Sequence, residues 1–406
     1  MLKEIFNDGV YALFNKICYF GAKTLAIILI TGSLGTEKGG QFIFLIGVVE
    51  ILRVTCDFGV DIFVIKKYGE VTNKEQLLIT VFYQKIGTGL LFSSLMAGCC
   101  YAMMYNIEIF TPISMALIFS LLFNLSNSYF QSLNENKQLT PFIIVASIIV
   151  ISFFCILYLN GVEYKPYGYL LVESMFFLSV FFALFRKIGF HIAKGLREFE
   201  FRSVIKLYKN TYSIGITAFL VIIYSRLDNI YLNIYDPQNL AVYGQMFRLV
   251  DPLVMVSSVF STVAYAKFSR FDLRKKEVNV RPFIIMMAAY VVVSSIGYYI
   301  MLNTLGKMFI LPTVYFQYFA LGFLCIAGIK CLNGALTALL QSQGLYKIGM
   351  CISLVCICLA IPIMYIFIRY HQALGAIYSI ITIELVSFIL LSISVFMFSN
   401  RIIFNK

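Results

Sequence analysis

Tryptophan is absent from this 406-residue chain, histidine occurs twice, proline eight times, and charged residues make up 13%. Each shortage excludes something. His191 and His371 both fall at loops or span ends, which removes a mid-membrane histidine relay. Without tryptophan, the 27 tyrosines must supply any interfacial aromatic belt. Gly306-Lys307 has Met301 where a phosphate-binding loop needs its first glycine, so ATP hydrolysis by this chain is not expected. No His, Cys and acid residues recur at metal-ligand spacing, and no serine sits in a nucleophile elbow. Neither a cofactor nor an enzymatic activity is therefore expected. The ten cysteines include no C-x-x-C pair and none in an outer loop, so they read as small core residues.

What the chain does have is apolar length. It is 60% hydrophobic with a mean hydropathy of +0.87, the composition of a polytopic membrane protein. Twelve runs of about 20 residues or more fit the length of a spanning helix: 12–33, 40–65, 78–103, 110–132, 140–160, 167–185, 212–234, 240–266, 282–302, 313–340, 345–368 and 374–398. The runs are continuous rather than alternating, which excludes a β-barrel. Residues 1–11 are polar and of mixed charge and the first apolar run is span-length, so no cleavable signal is expected.

The net charge of +12 follows from topology. With both termini cytoplasmic, 22 of the 32 lysines and arginines fall inside, many in the loop of Lys66, Lys67 and Lys74, the stretch 186–210 and the loop 267–281. Lys38, Lys165, Lys307 and Arg369 fall outside. This satisfies the positive-inside rule and leaves no reason to read the basic loops as nucleic-acid-binding. The basic, part-apolar stretch 186–210 reads as a linker at the inner interface, dividing a six-helix lobe, 1–185, from a second, 211–406.

The lobes look like copies. An offset of 201 residues aligns Leu34-Gly35-Thr36-Glu37 with Tyr235-Asp236-Pro237-Gln238, Phe42 with Tyr243, and Val49-Glu50 with Val250-Asp251. Six spans per copy preserve orientation, so the repeats are expected to be parallel, with substrate held at mid-membrane depth between them.

The six remaining cations, Lys23, Arg53, Lys85, Arg226, Arg248 and Lys330, lie within the spans. A charge at mid-membrane costs roughly 2.5–3.5 kcal/mol on the lenient scale, so these side chains point to a buried cationic site and an anionic substrate. At 100° per residue, Glu50, Arg53, Asp57 and Asp61 fall within an arc of about 80° on one helix face, where they can pair locally. Asp57 and Asp61 read as structural. Arg248 and Asp251 are three apart and can also pair, and Pro252 frees a backbone carbonyl that a neighbour must satisfy. Asp228, two residues from Arg226 and about 200° round the helix, reads as structural rather than as its partner. Lys23, Lys85 and Lys330 have no acid at helical spacing either, which leaves these four as the open cations. Arginine offers phosphate a planar fork and lysine a point charge. Glu173 and Glu384, at comparable places in the lobes, are candidates with Glu50 and Asp251 for carrying a proton or sodium ion. Tyr19, Tyr212 and Tyr224 are candidates for sugar hydroxyls.

The stretch Leu34-Gly35-Thr36-Glu37-Lys38-Gly39-Gly40-Gln41-Phe42, with Asp57-Phe58-Gly59-Val60 after it, resembles the first helix hairpin of bacterial polysaccharide flippases. Tyr224-Ser225-Arg226-Leu227-Asp228-Asn229 through Arg248-Leu249-Val250-Asp251-Pro252 is similar to the matching second hairpin. The family is the Wzx-type O-antigen flippases of the multidrug/oligosaccharidyl-lipid/polysaccharide (MOP) exporter superfamily. The resemblance implies an inner-membrane flippase for an undecaprenyl-pyrophosphate-linked oligosaccharide, working by alternating access with a proton or sodium ion as its coupling ion, in association with polysaccharide assembly enzymes. A multidrug antiporter of the same superfamily is the first alternative, though seven intramembrane acids against six bases do not favour cationic cargo. A membrane polysaccharide polymerase or ligase is the second, and outer loops as short as 34–39, 104–109 and 235–239 leave it little room for catalytic machinery.

Overall fold

A computed structural model describes residues 2–68, 74–102, 110–133, 135–160, 166–195, 201–268, 280–306 and 315–403. Among them every long element is an α-helix: α1 (Leu2–Asp57), α2 (Val60–Lys67), α3 (Lys74–Ala102), α4 (Phe110–Leu133), α5 (Thr140–Leu159), α6 (Pro166–Gly195), α7 (Phe201–Tyr224), α8 (Leu227–Tyr235), α9 (Pro237–Phe268), α10 (Arg281–Met301), α11 (Phe316–Ser342) and α12 (Tyr346–Ile403). The outer loop 104–109, the linker segment 196–200 and most of the basic loop 267–281 lie outside the described residues. The rest of the expected linker is helical, since α6 continues to Gly195 and α7 begins at Phe201.

Among the described residues, eight stretches are long and apolar enough to cross a membrane. Two are long enough for two crossings. Val10–Asp57, 48 residues, would be about 72 Å long if straight, against a hydrocarbon core of about 30 Å. It breaks at Gly35, whose φ of 73° and ψ of −166° only glycine adopts without strain. Tyr346–Met397, 52 residues, breaks likewise at Gln372, at φ 54°. The outward faces of α5 and α10 are apolar and exposed, Ile149 at 61% and Val293 at 71%, as lipid contact requires. The chain is a multi-pass membrane protein.

Contacts divide it into two compact units, Met1–Ala22 with Ile46–Phe219, and Lys23–Leu45 with Leu220–Lys406. The division differs from the expected lobes in two respects: residues 211–219 group with the first unit, and one stretch of the first lobe groups with the second. Residues 23–45, the hairpin turning at Gly35, pack with the second unit.

In the first unit, α4 packs on α3 and α6, and Cys56, Leu117 and Leu121 form a core patch with Leu52 and Phe92 against it. The chain reverses at Phe58 and Gly59, φ 48° and 75°, between α1 and α2. Gly59 lies so close to α7 that a Cβ there would meet the Gly215 nitrogen at 2.9 Å. In the second unit, α11 packs on α9 and α12, and Ala264, Phe268 and Leu339 form a core patch with Val280, Phe283 and Ile284 against it.

Candidate functional site

Backbone breaks and a proline position the charges of the second unit. Arg226 does not sit within a helix as its sequence setting suggests. It occupies the turn between α7 and α8, at φ −125°, where helical-wheel angles no longer apply. Asp228 follows in the first turn of α8, fully buried, and accepts hydrogen bonds from the Tyr243 hydroxyl at 2.5 Å and the Asn229 amide at 2.7 Å. Its carboxylate is close enough to interact with the charges of Arg226 and Lys330. The helical-wheel separation of Asp228 from Arg226 does not apply, because the helix breaks between them.

Three cations surround one ring. The Arg226 guanidinium carbon lies 4.5 Å from the centroid of Phe247, the Arg248 guanidinium carbon 5.7 Å and the Lys330 Nζ 5.6 Å. They come from the α7–α8 turn, from α9 and from α11. Two have carboxylates at modest distance: Arg248 lies 3.4 Å from Asp251 on its own helix, and Lys330 lies 3.8 Å from Glu384 on α12. Asn333 donates to the other Glu384 oxygen at 2.8 Å. Lys330, which has no acid at helical spacing, thus meets one on another helix. Lys23 is buried in this same unit, and its neighbour Thr24 donates to the Arg248 carbonyl at 3.4 Å. That carbonyl is the one Pro252 leaves without an N–H partner.

The cations of the first unit are held differently. Lys85, expected as an open cation, is fully buried between two carboxylates, 2.5 Å from Asp57 and 2.9 Å from Asp61. Ser128 also donates to Asp61, at 2.9 Å. Spacing along α3 gave no sign of this, because both acids come from the α1–α2 break. That break also ends the continuous four-charge stripe expected from Glu50 to Asp61. Arg53 makes a bidentate pair with Glu173 on α6, at 2.6 and 3.2 Å, and lies 5.0 Å from the Phe177 ring. Glu50 lies one turn before it, partly buried.

Of the tyrosines, Tyr19 sits among Phe20, Phe123, Phe176 and Phe177, Tyr224 is buried, and Tyr212 is exposed. His371 is exposed beside the Gln372 break, and the His191 side chain lies outside the described residues. Among the described residues no group of His, Cys, Asp and Glu could hold a metal ion.

The intramembrane charges divide unequally. Arg53 and Lys85 share the first unit with Glu50, Asp57, Asp61 and Glu173, an excess of acid. Lys23, Arg226, Arg248 and Lys330 share the second with Asp228, Asp251 and Glu384, an excess of base. Phe247 is the member of this group that sequence reasoning missed, since a phenylalanine in an apolar run carries no signal of its neighbours.

Solved structures of transporters match this fold over nearly the whole chain. An outward-facing multidrug resistance MATE family transporter of the MOP superfamily aligns with 98% of it and 96% of its own length, at TM-score 0.73 and 13% identity. An inward-facing one aligns with 98% and 99%, at 0.70 and 12%. The fold is the one these structures share. The lipid II flippase MurJ, in an inward closed conformation, aligns with 97% of the chain and 86% of its own, at 0.64 and 15%. At these identities the likeness is one of fold. No protein-family model matches the chain, and no curated protein does.

Proposed function

We propose that this chain is a flippase of the bacterial inner membrane, moving an undecaprenyl-pyrophosphate-linked oligosaccharide, an O-antigen or similar surface-polysaccharide unit, from the inner to the outer leaflet by alternating access. Its twelve spans would be ten supplied by the eight apolar stretches, two of them doubled by their breaks, plus the more polar α3 and α9. The breaks at Gly35 and Asp236 are 201 residues apart, which supports a parallel repeat with cytoplasmic termini.

The observation that carries the reading is the gathering of Arg226, Arg248 and Lys330 around Phe247, in the unit that also holds Lys23. Such a base-rich group at membrane depth suits a phosphate-bearing headgroup, with Arg226 as a bidentate fork and Lys330 as a point charge. Arg53 and Lys85 then serve structure in the first unit, each saturated by carboxylate. MurJ is named as a flippase of lipid II, which fits a lipid-linked cargo. The test is reconstitution into vesicles with a fluorescent lipid-linked oligosaccharide. Arrival of the probe at the far leaflet supports the reading, and an Arg226→Ala protein that flips it at the wild-type rate defeats it.

A second reading has its own observation. The acid excess of the first unit, Glu50, Asp57, Asp61 and Glu173, suits exchange of protons or sodium ions, and with it ion-coupled multidrug antiport; the MATE neighbours are named as multidrug resistance transporters. A cationic dye expelled under a pH or sodium gradient, with no movement of the lipid-linked probe, would favour it.

A further inference from the structure

We propose that Phe247 is the positioning residue of the second unit's anion site, its ring holding three cations in a phosphate-ready arrangement while the site is empty. The inference rests on the phosphate reading above and adds a residue that neither charge nor spacing marks.

Arg226, Arg248 and Lys330 repel one another, and in a membrane interior water does little to screen them. Something must offset that repulsion when no substrate is bound. Carboxylates offset part of it: Asp228 interacts with Arg226 and Lys330, and the contacts of Asp251 and Glu384, at 3.4 and 3.8 Å, are longer than the 2.5–2.9 Å contacts that fix Lys85. The ring is the feature common to all three cations, at 4.5 to 5.7 Å. An aromatic face carries negative quadrupole, attracts cations within about 6 Å and, unlike a carboxylate, is not a competing anion that phosphate must displace. The ring is itself held in place by an edge contact with Phe323 at 5.9 Å, and Phe323 is buried. A headgroup then meets cations already gathered, so less of its binding energy goes into ordering them. Asp251 and Glu384 give up loose contacts in exchange, which favours two adjacent phosphates over one, because two of the cations change partner.

The test uses the purified full-length chain in detergent, with farnesyl pyrophosphate and farnesyl monophosphate as probes in equilibrium binding. Arg226→Ala tests the phosphate reading and Phe247→Leu the inference. Replacing Phe247 with pentafluorophenylalanine keeps the ring's shape while reversing its quadrupole. We expect Phe247→Leu and the fluorinated ring to weaken pyrophosphate binding about fivefold, Phe247→Tyr to stay within about twofold, and the preference for pyrophosphate over monophosphate to shrink. If Phe247→Leu does not fold, the fluorinated protein decides alone. Wild-type affinity in the fluorinated protein, with Arg226→Ala weakened, overturns the inference and leaves the phosphate reading standing. Equal loss of both probes in Phe247→Leu with full affinity in the fluorinated ring shows packing alone and also overturns it. Failure of the wild-type chain to bind either probe defeats the phosphate reading itself.

Discussion

Thr24 donates its hydroxyl to the backbone carbonyl of Arg248 across 224 residues of sequence, at 3.4 Å. Pro252 creates the need, since it cannot return an N–H to that carbonyl. The contact ties the first hairpin to α9 at the point where α9 carries Arg248 towards the Phe247 ring. Thr24→Val should cost about 1 kcal/mol by leaving the carbonyl without its donor. Pro252→Ala should restore the helical bond and make the Thr24 hydroxyl dispensable. Thermal unfolding of the two single variants and the double variant checks this: Thr24→Val should cost less in the Pro252→Ala background.

Arg226→Ala should abolish export of surface polysaccharide while membrane protein levels stay near normal. Arg226 lies in a turn rather than within a helix, so its loss interrupts no helical hydrogen-bond ladder. Immunoblotting of membranes beside a polysaccharide assay checks both halves of the expectation. Unimpaired polysaccharide at normal protein level would remove Arg226 from the transport site.

Lys85→Ala should act on folding first. Removing the ammonium leaves Asp57 and Asp61 facing each other in a buried position, a loss of about 3–5 kcal/mol for a broken buried pair. Lys85→Ala combined with Asp61→Asn should recover part of it, because a carboxylate charge goes with the ammonium. Yield and melting temperature in detergent are the measurements. A Lys85→Ala protein of normal stability that cannot transport would return Lys85 to the substrate site.

Gly215→Val should destabilise the first unit by about 1–3 kcal/mol through overpacking. A Cβ at 215 would meet both the ring and the carbonyl oxygen of Phe58 at 2.5 Å. Phe58 is held at positive φ in the α1–α2 turn and has little room to retreat. Gly297→Val, where a Cβ meets nothing within 4 Å, is the control and should be close to neutral. Melting temperatures of the two variants decide it.

Much of the architecture was legible in the chain itself. Apolar length dictates membrane helices because no other open structure satisfies its backbone in lipid. Leu34-Gly35 and Tyr235-Asp236 announce turns, and the structure breaks its helices at Gly35 and Asp236. Pro252 announces a free carbonyl because the missing N–H is a property of the residue alone. Charges within apolar runs must be sheltered from lipid, whatever shelters them.

What shelters each charge was decided by tertiary structure. Spacing on a helix reports neighbours three or four residues away and is blind to other helices. It therefore left Lys85 open when two carboxylates enclose it, and it kept Asp57 and Asp61 on a stripe that the Phe58–Gly59 turn interrupts. The boundary at 186–210 put Lys23 in the first lobe, whereas contacts group it in the same unit as Arg226, Arg248 and Lys330. The number of buried cations belongs to the sequence. Whether each faces carboxylate, the Phe247 ring or both depends on helix packing, because electrostatic partners are set by distance in space and not by separation along the chain.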